Sequence, residues 1–234
     1  MFFKRMKKKL NDNLAYSREL DWANVYHDSI RGKEHILNLP LNIGRWAGSY
    51  SFFYILNRLL NEYRPASILE LGLGESTKFI ATYGQHYIKL KNHTVVEHDK
   101  EWISIFQQNF QITSFTRILQ FNLEEKQINS FKSTSYLGLE KEITEKYDLY
   151  IIDGPFGSDR FSRHNIVDLA MNFNVEDEFI ILMDDYNRKG EMDTVNDLIK
   201  LLNKKNIKFY TRKYIGLKDQ LLIVTEKYKF TTSF

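Results

Sequence analysis

Apolar residues recur along the chain first at helical spacing and then in short strand-like runs. Between residues 45 and 65 they follow one another by threes and fours, as at Trp46, Tyr50 and Phe53, so one face of a helix there is apolar. Pro65 disfavours helical geometry at the residue before it, which predicts the end of this helix. From residue 66 onward, short apolar runs alternate with amphipathic segments over most of the remaining chain.

This alternation predicts seven strands separated mostly by helices. The strand-like segments are ASILELGL, HTVVEHD, FTRILQFN, YDLYIID, EFIILMDD, IKFYTRKYI and QLLIVTEKY. The helical segments are STKFIATYG, DKEWISIFQQNF with Asp99 as its cap, HNIVDLAMNF and MDTVNDLIKLLNKK. Residues 123–146 are polar and weakly periodic, which predicts a loop with a helical piece. We therefore expect an α/β fold with a doubly wound, mostly parallel seven-stranded sheet, covered by helices on both faces, and an antiparallel C-terminal hairpin around GLKD.

The composition is that of a chain with one sizeable core. The 234 residues are 43% hydrophobic and 15% aromatic, which is enough for one α/β domain. The first 45 residues are too short for a core of their own, so we expect an N-terminal extension, 1–45, on a domain, 46–234. Trp22, Tyr26 and His27 of the extension could form a lid or acceptor wall, and Arg45 with Trp46 could reach the site from the first helix. The alternative for each of them is core or surface packing. The absence of cysteine excludes disulfides, thiolate nucleophiles and cysteine-bound zinc.

The net charge is +3, and basic residues gather near the start of the chain. They are Lys4, Arg5, Lys7, Lys8 and Lys9. Such a tail contacts an anionic membrane or a nucleic acid in some proteins and is merely solvated in others, and both remain open here. No segment has the roughly 20 consecutive apolar residues of a membrane span, and MFFKRMKKKL lacks the long apolar region of a signal peptide. We expect a soluble cytoplasmic protein, whose basic tail could reach the inner face of the membrane.

The segment ILELGLGESTKFI carries the main candidate binding site. Gly72 and Gly74 follow the first predicted strand, where ligands of doubly wound sheets bind, and the helix beginning near Ser76 offers free N–H groups. Glu97 ends the second strand, where an acidic side chain can accept hydrogen bonds from both hydroxyls of a ribose. Close packing of the strand on the helix would also explain the glycines.

Two residues distinguish this turn from a dinucleotide-binding fingerprint. Thr77 occupies the position of the third small residue, and Glu70 places negative charge near the ligand. This suits a cationic, phosphate-free nucleoside better than a pyrophosphate. The chain also ends in a strand, hairpin loop, strand pattern and not in a second mononucleotide-binding half.

With these features the chain resembles the class I S-adenosylmethionine-dependent methyltransferases, over about Ile68 to Tyr228. ELGLGES is similar to their first motif, Glu97 to their ribose-binding acid, YDLYIIDGP to their strand-four motif, and the terminal hairpin to their reversed seventh strand. The resemblance implies S-adenosylmethionine as cofactor, with its methionine part against the glycines and its adenine near Asn122. The implied cofactor-binding residues are Glu70, Gly72, Gly74, Ser76, Glu97, Asn122 and Asp153.

Acidic residues at the ends of two neighbouring predicted strands are candidate metal ligands. Asp153 ends one strand and Asp184 with Asp185 end the next, so their oxygens could share a divalent cation. The spacing resembles that of metal-dependent O-methyltransferases of the catechol and caffeoyl-CoA type, which implies a Mg²⁺ or Mn²⁺ ion that orients the acceptor hydroxyl and lowers the pKa of that hydroxyl. Phe156 stands where those enzymes carry a lysine, so their base is missing. The alternative for Asp184 and Asp185 is one capping acid and one exposed acid.

The phrase DGPFG followed by RFSRHN resembles the DGP motif of glucuronoxylan-type polysaccharide O-methyltransferases and of related bacterial surface-glycan proteins. The segment LNLPLNIGRWAGSYSF strengthens that likeness. The resemblance implies His164 as a base, and Arg160 and Arg163 as donors to a carboxylate or phosphate of the acceptor. The implied catalytic residues are thus Asp153, Arg160, Arg163 and His164. The alternatives are a non-catalytic position at a helix start for His164 and solvated surface positions for the two arginines.

The leading hypothesis is an O-methyltransferase that uses S-adenosylmethionine on a hydroxyl of a sugar or glycan intermediate, with a divalent metal as an optional aid. Methylation of another small molecule or of a nucleic acid is a second hypothesis. For a nucleic acid, however, DGPF has one proline where a base-holding motif has two, and the basic residues gather in a tail. The chain could also be a docking or regulatory partner without catalysis, or a nicotinamide-dependent dehydrogenase. The sequence contains no GxSxG or GxxxxGK motif and no acid pair typical of glycosidases.

Overall fold

The computed structural model describes residues 2–44 and 47–234. Arg45 and Trp46, predicted on the first helix face and near the site, lie outside the described residues. The same holds for the side chains of several residues near the start of the chain, which are Phe2, Phe3, Lys4, Lys8, Lys9 and Asn11.

Over the described residues the chain forms nine strands and eight α-helices. The strands are β1 Ser67–Leu71, β2 Asn92–Glu97, β3 Thr116–Gln120, β4 Leu123–Ile128, β5 Phe131–Tyr136, β6 Leu149–Ile152, β7 Ile180–Met183, β8 Tyr210–Tyr214 and β9 Gln220–Val224. The α-helices are α1 Phe2–Ser29, α2 Glu34–Leu37, α3 Tyr50–Arg58, α4 Glu75–His86, α5 Lys100–Asn109, α6 Leu139–Glu142, α7 Asn165–Ala170 and α8 Lys189–Lys204. A π-helical turn, Leu59–Tyr63, follows α3, and a 3₁₀ segment, Glu226–Ser233, follows β9.

Seven of the strands form one sheet in the order β3, β2, β1, β6, β7, β9, β8. Neighbouring strands are parallel, except that β9 runs antiparallel to both β7 and β8. The predicted fold class is therefore confirmed, including the C-terminal hairpin. From β1 the chain builds outward to β2 and β3 and then crosses back to β6. The carboxyl ends of β1 and β6 thus meet at a topological switch point, where sheets of this kind bind ligands.

Each face of the sheet carries a hydrophobic core, because successive strand residues point to opposite faces. Ile68 packs with residues of α1, α3 and α4 on one face, whereas Leu69 packs with residues of α7 and α8 on the other. The central strands are nearly continuous apolar runs, as in LYII of β6 and IILM of β7, which is typical of a sheet buried on both faces.

The second half of α1 belongs to this packing. Tyr26 is buried in the core, and Trp22 Nε1 donates a hydrogen bond to the backbone oxygen of Ile215, 2.9 Å away. The ring of His27 lies against that of Tyr26. None of the three side chains lines the cavity that lies at the switch point, so their contacts favour packing over a lid.

Two predicted helix boundaries are confirmed. Asp99 caps α5, because its Oδ1 accepts hydrogen bonds from the backbone N–H groups of Glu101 and Trp102, at 2.9 and 3.1 Å. Arg64 has left-handed backbone geometry directly before Pro65, and the helical segment stops there.

The prediction of a loop over residues 123–146 is wrong for its first half. Strands β4 and β5 form an antiparallel hairpin, whose two-residue turn, Asn129 and Ser130, has φ angles of 48° and 70°. Positive φ at both central residues matches the twist of a hairpin, and asparagine tolerates it well. The polar composition of LEEKQI and FKSTSY conceals the strands, which form a separate two-stranded sheet. The predicted helical piece is α6.

Candidate active site

A cavity of about 510 Å³ opens at the switch point between β1 and β6. Three strand ends line it: the glycine turn after β1, Glu97 at the end of β2, and Asp153 after β6. Further lining residues come from other segments, among them Arg163, Asp185, Arg188 and Lys218. The fold thus brings the predicted glycine turn, the predicted ribose-binding acid and part of the predicted acid cluster into one space.

The two glycines of the turn differ in what requires them. Gly72 has φ of 104°, and a Cβ at this position would lie 3.2 Å from the backbone nitrogen of Gly154. It is therefore required by the close approach of the ends of β1 and β6, and by its left-handed backbone. Gly74 has extended geometry, and a Cβ there would meet no atom within 4 Å. Because Gly74 lines the cavity, its missing side chain leaves space for a ligand.

Glu70 is fully buried and does not line the cavity. One carboxylate oxygen accepts a hydrogen bond from the hydroxyl of Ser76, and the other accepts one from Thr77 Oγ1 at 2.9 Å and lies 3.0 Å from His93 Nε2. These hydrogen bonds do not favour the predicted direct contact of Glu70 with the cofactor. Glu70 instead fastens the first turn of α4 to the strands, and Ser76, which does line the cavity, is one of the residues it holds.

Glu97 lies beside the glycine turn, as predicted. Its Oε2 accepts a hydrogen bond from the backbone N–H of Leu73 at 3.1 Å, and its Oε1 accepts from the N–H groups of His98 and Asp99 at 2.7 and 3.0 Å. These donors hold the carboxylate at the edge of the cavity. The indole Nε1 of Trp102 donates to the backbone oxygen of Leu73 at 2.8 Å, which fixes the turn from the other side.

Asn122 is not brought to this cavity. It lines a separate hollow with Arg117 and Leu137, and its Oδ1 accepts a hydrogen bond from Gln120 Nε2 at 3.2 Å. The reason lies in the hairpin: β4 begins at Leu123, and the backbone N–H of Leu137 donates to the backbone oxygen of Asn122 at 2.9 Å. The predicted adenine contact of Asn122 thus has no support in the geometry.

The three acids at the strand ends do converge. Oxygens of Asp153, Asp184 and Asp185 lie within 4.8 Å of one another. Asp184 and Asp185 are 0% and 2% exposed, so the alternative of a capping acid beside an exposed acid is wrong. Only Asp153 and Asp185 of the three line the cavity.

Arg163 lies in the middle of these acids and is 4% exposed. Its Nη2 is 3.0 Å from Asp153 Oδ1 and 2.8 Å from Asp185 Oδ2, and its Nη1 donates to the backbone oxygen of Asp184 at 3.0 Å. Arg163 and Asp185 both have φ of 58°, which non-glycine residues adopt mainly where the surroundings enforce it. The alternative of a solvated surface position for Arg163 is therefore wrong.

The charges of the cluster shift two carboxyl groups in opposite directions. Burial raises the pKa of Asp153 to about 7, although the Arg163 guanidinium opposes the shift. Burial also disfavours the charged form of Asp185, but Arg163, Lys218 and Arg188 lower the pKa of that carboxyl below its usual value.

Arg160 and His164 point away from the cavity. Arg160 forms an ion pair with Asp193 of α8 and lies over the ring of Phe131, 4.2 Å from its centre. His164 Nε2 lies 3.7 Å from Asp197 Oδ2 of α8, and burial lowers the pKa of the imidazole despite that neighbour. Neither side chain lines the cavity, so the predicted roles as acceptor donor and base lack the necessary contact.

Several lining residues escaped the sequence reasoning, among them three polar ones, Tyr136, Arg188 and Lys218. The sequence pattern could have predicted Lys218 at the site, because GLKD joins β8 to β9 and β8 ends at the same edge of the sheet as β6 and β7. It could not have predicted Tyr136, which ends the hairpin that the pattern does not show. Arg188 follows β7 closely in sequence, in the same segment as Asp184 and Asp185.

No protein-family model matches the sequence, and no curated protein matches it. Solved structures do resemble the chain. A candidate O-methyltransferase from Klebsiella pneumoniae has a TM-score of 0.53 at 13% identity, over 86% of this chain and 89% of that one. An O-methyltransferase from Bacillus cereus, in complex with SAH, has a TM-score of 0.52 at 13% identity, over 87% of this chain and 91% of that one. The chain thus has the Rossmann-like α/β fold found in methyltransferases.

Proposed function

We propose that the chain is an S-adenosylmethionine-dependent O-methyltransferase. The observation that carries the proposal is a single cavity lined both by the glycine turn with Glu97 and by Asp153 with Arg163. Direct group transfer requires donor and acceptor to be held together in one space. The fold likeness to O-methyltransferases supports the same conclusion.

The charge of the cavity favours a cationic cofactor. Its described lining residues include five carboxylates and three permanent cations, which are Glu75, Glu97, Asp99, Asp153 and Asp185 against Arg163, Arg188 and Lys218. An excess of negative charge attracts a sulfonium. In this proposal Glu97 holds the ribose hydroxyls, and the open space at Gly74 takes the methionine part.

When bound, S-adenosylmethionine supplies a methyl group to the acceptor oxygen. Asp153 receives the proton of the acceptor hydroxyl, because it lines the cavity and its pKa of about 7 suits proton transfer near neutral pH. Arg163, 3.0 Å from Asp153 Oδ1, orients that carboxylate. Trp102 and Glu70 act indirectly. Trp102 holds the glycine turn, and Glu70 holds the start of α4.

The proposed acceptor is a hydroxyl of a sugar or glycan intermediate. Its support is the likeness of DGPFG and RFSRHN to polysaccharide O-methyltransferases, together with the exposed ring of Phe156 at the cavity, which offers an apolar surface to a sugar ring. A divalent metal, which the acids at the strand ends predict, fits these residues poorly. Arg163 and Lys218 already lie against the carboxylates, so no step is assigned to a metal.

Calorimetric titration with S-adenosylmethionine and S-adenosylhomocysteine tests the cofactor. We expect micromolar dissociation constants, equivalent to about −8 kcal/mol. Absence of binding would favour a docking or regulatory role without catalysis. Transfer of a labelled methyl group to a panel of sugars, with other small molecules for comparison, then tests the acceptor class.

The variant Asp153→Asn tests the proton acceptor. We expect turnover to fall at least about 100-fold, because the amide cannot take the proton. Cofactor affinity should remain within about threefold of the wild type, since the amide keeps the shape of the side chain. Full activity in this variant would remove Asp153 from the mechanism.

We also propose that the start of α1 contacts an anionic membrane surface. Arg5 and Lys7 are exposed there beside the exposed apolar side chains of Met6, Leu10 and Leu14. Basic and apolar residues together are what helices at a membrane interface use. None of the described helices has the length and apolarity to span a bilayer.

A further inference from the structure

The cluster of Asp153, Asp184 and Asp185 has the composition of a divalent cation site, yet a side-chain cation lies within it. A Mg²⁺ ion requires oxygen ligands at about 2.0–2.1 Å in nearly octahedral geometry. Arg163 Nη2 lies 3.0 and 2.8 Å from one oxygen each of Asp153 and Asp185. Asp185 Oδ2 accepts a hydrogen bond from the guanidinium and Asp153 Oδ1 forms an ion pair with it, so both oxygens already have a cationic partner.

Two oxygens of the cluster that Arg163 does not contact lie near a second cation. Asp184 Oδ2 and Asp185 Oδ1 are buried and have no hydrogen-bond partner. They lie 3.6 and 3.5 Å from Lys218 Nζ. Lys218 comes from the loop between β8 and β9, so the C-terminal hairpin supplies charge to the acids at the ends of β6 and β7.

Three side-chain cations offset most of the negative charge of the cluster without an ion. Arg163, Lys218 and Arg188, whose Nη1 lies 3.0 Å from Asp185 Oδ2, face the three aspartates and the buried Glu191, 3.7 Å from Arg163 Nε. A divalent ion in addition would leave an excess of positive charge in a largely buried place. Burial of unbalanced charge is costly, so the ion could bind only if a cation left.

Arg163 is not placed to leave. Its Nη1 donates to the backbone oxygen of Asp184, so it is held by the chain at the end of β7 as well as by carboxylates. The preceding residue, Ser162, is tied to α8, because its backbone N–H donates to Gly190 O at 3.1 Å and its oxygen accepts from Thr194 Oγ1 at 2.6 Å. The guanidinium is therefore built into the fold.

We propose that Arg163 is a permanent internal cation that takes the position of a divalent metal among Asp153, Asp184 and Asp185, so that the chain binds no divalent metal at this cluster. The guanidinium has the planar array of donors that suits two carboxylates at once. It orients Asp153 toward the cavity, as a metal would orient its ligands. This inference concerns the cluster itself and stands whether or not the chain transfers methyl groups.

Titration of the full-length protein with Mn²⁺, followed by electron paramagnetic resonance, tests the inference directly. We expect no stoichiometric site in the wild type up to about 1 mM Mn²⁺, a concentration that corresponds to only about −4 kcal/mol. Any weak background should be the same in Asp185→Asn, which removes one carboxylate of the cluster. Stoichiometric binding by the wild type that Asp185→Asn abolishes would overturn the inference.

A second measurement asks whether removal of the guanidinium creates a metal site. The variant Arg163→Ala leaves three converging carboxylates with less positive charge, and we expect it to bind one Mn²⁺ at least tenfold more tightly than the wild type. Its melting temperature should rise on addition of Mn²⁺, because a ligand that binds only the folded state stabilises it. Arg163→Lys, which keeps a positive charge, should gain no site.

The matched control is Arg160→Ala. Arg160 lies in the same segment, but it pairs with Asp193 and contacts none of the three acids, so its removal should leave Mn²⁺ binding unchanged. A folded Arg163→Ala protein that gains no metal would contradict the proposal that Arg163 fills a cation position. If that variant fails to fold, the wild-type titration still decides the question.

Discussion

Exchange of glycine for alanine should have opposite consequences at the two positions of the glycine turn. Gly72→Ala should destabilise the fold by roughly 1–2 kcal/mol, because a Cβ is strained at positive φ and would lie 3.2 Å from Gly154 N. That corresponds to a fall of about 2–8 °C in melting temperature.

Gly74→Ala should cost less than about 1 kcal/mol of stability but weaken S-adenosylmethionine binding at least tenfold, because its methyl group enters the cavity. Thermal unfolding and calorimetry distinguish the two effects, and tight cofactor binding by Gly74→Ala would contradict the placement of the cofactor.

Glu97 gives the second prediction at the scale of single residues. Glu97→Gln should weaken S-adenosylmethionine binding by about 10–100-fold, because the amide loses a charged acceptor and turns an NH₂ group toward backbone donors. Calorimetric titration measures the change. Glu101→Gln is the matched control, since this exposed residue of α5 does not line the cavity and should bind the cofactor like the wild type. Equal affinity in both variants would remove Glu97 from the ribose site.

Among secondary structure elements, the contact of β5 with α7 fixes one wall of the cavity. Asn165, fully buried at the start of α7, accepts a hydrogen bond from Tyr136 N at 2.8 Å and donates one to Tyr136 O at 3.1 Å. Asn165→Ala leaves both backbone groups without their partner, so we expect a loss of about 2–4 kcal/mol of stability. The melting temperature should fall by roughly 4–16 °C.

The control for that contact is Asn172→Ala, at an exposed asparagine of the turn after α7. It should melt within about 2 °C of the wild type, because surface exchanges away from special contacts have small effects. Equal melting temperatures for the two variants would mean that the hairpin is not held by Asn165. Weaker cofactor binding by Asn165→Ala at a temperature where it is folded would link the hairpin to the cavity through Tyr136.

For the whole molecule, the uneven distribution of charge predicts where a membrane is contacted. Replacement of the five basic residues near the chain start by glutamine changes the net charge from +3 to −2. We expect the wild type to sediment with vesicles that contain anionic lipid and to be released by salt, and the variant to bind at least about tenfold more weakly. Both proteins should have the same melting temperature, because Arg5 and Lys7 are exposed. Neutral vesicles are the control, and equal binding of both proteins to anionic vesicles would contradict the proposed contact.

Much of the fold was predictable because the pattern that encodes it is local and repetitive. Buried parallel strands are apolar on both faces, so runs such as YDLYIID and EFIILMDD can be recognised as strands from the sequence alone. Asn57 shows the limit of such patterns. It is a polar residue of the first predicted helix, yet it is buried, because Ser29 of α1 and Tyr83 of α4 supply partners for its amide. Only the packing of three helices creates that polar interior position.

The sequence by itself determined the sheet, the glycine turn and the nearness of Glu97 to that turn, because the carboxyl ends of adjacent parallel strands necessarily meet at one edge. Tertiary structure alone decided which side chains of RFSRHN enter the cavity. The left-handed backbone at Arg163 turns that side chain inward, while Arg160 and His164 pair with acids of α8. It also decided what lies among the three aspartates, since Arg163 and Lys218 come from segments far apart in the chain. Spacing can show that acids converge, but only the assembled fold shows whether a cation of the chain already lies between them.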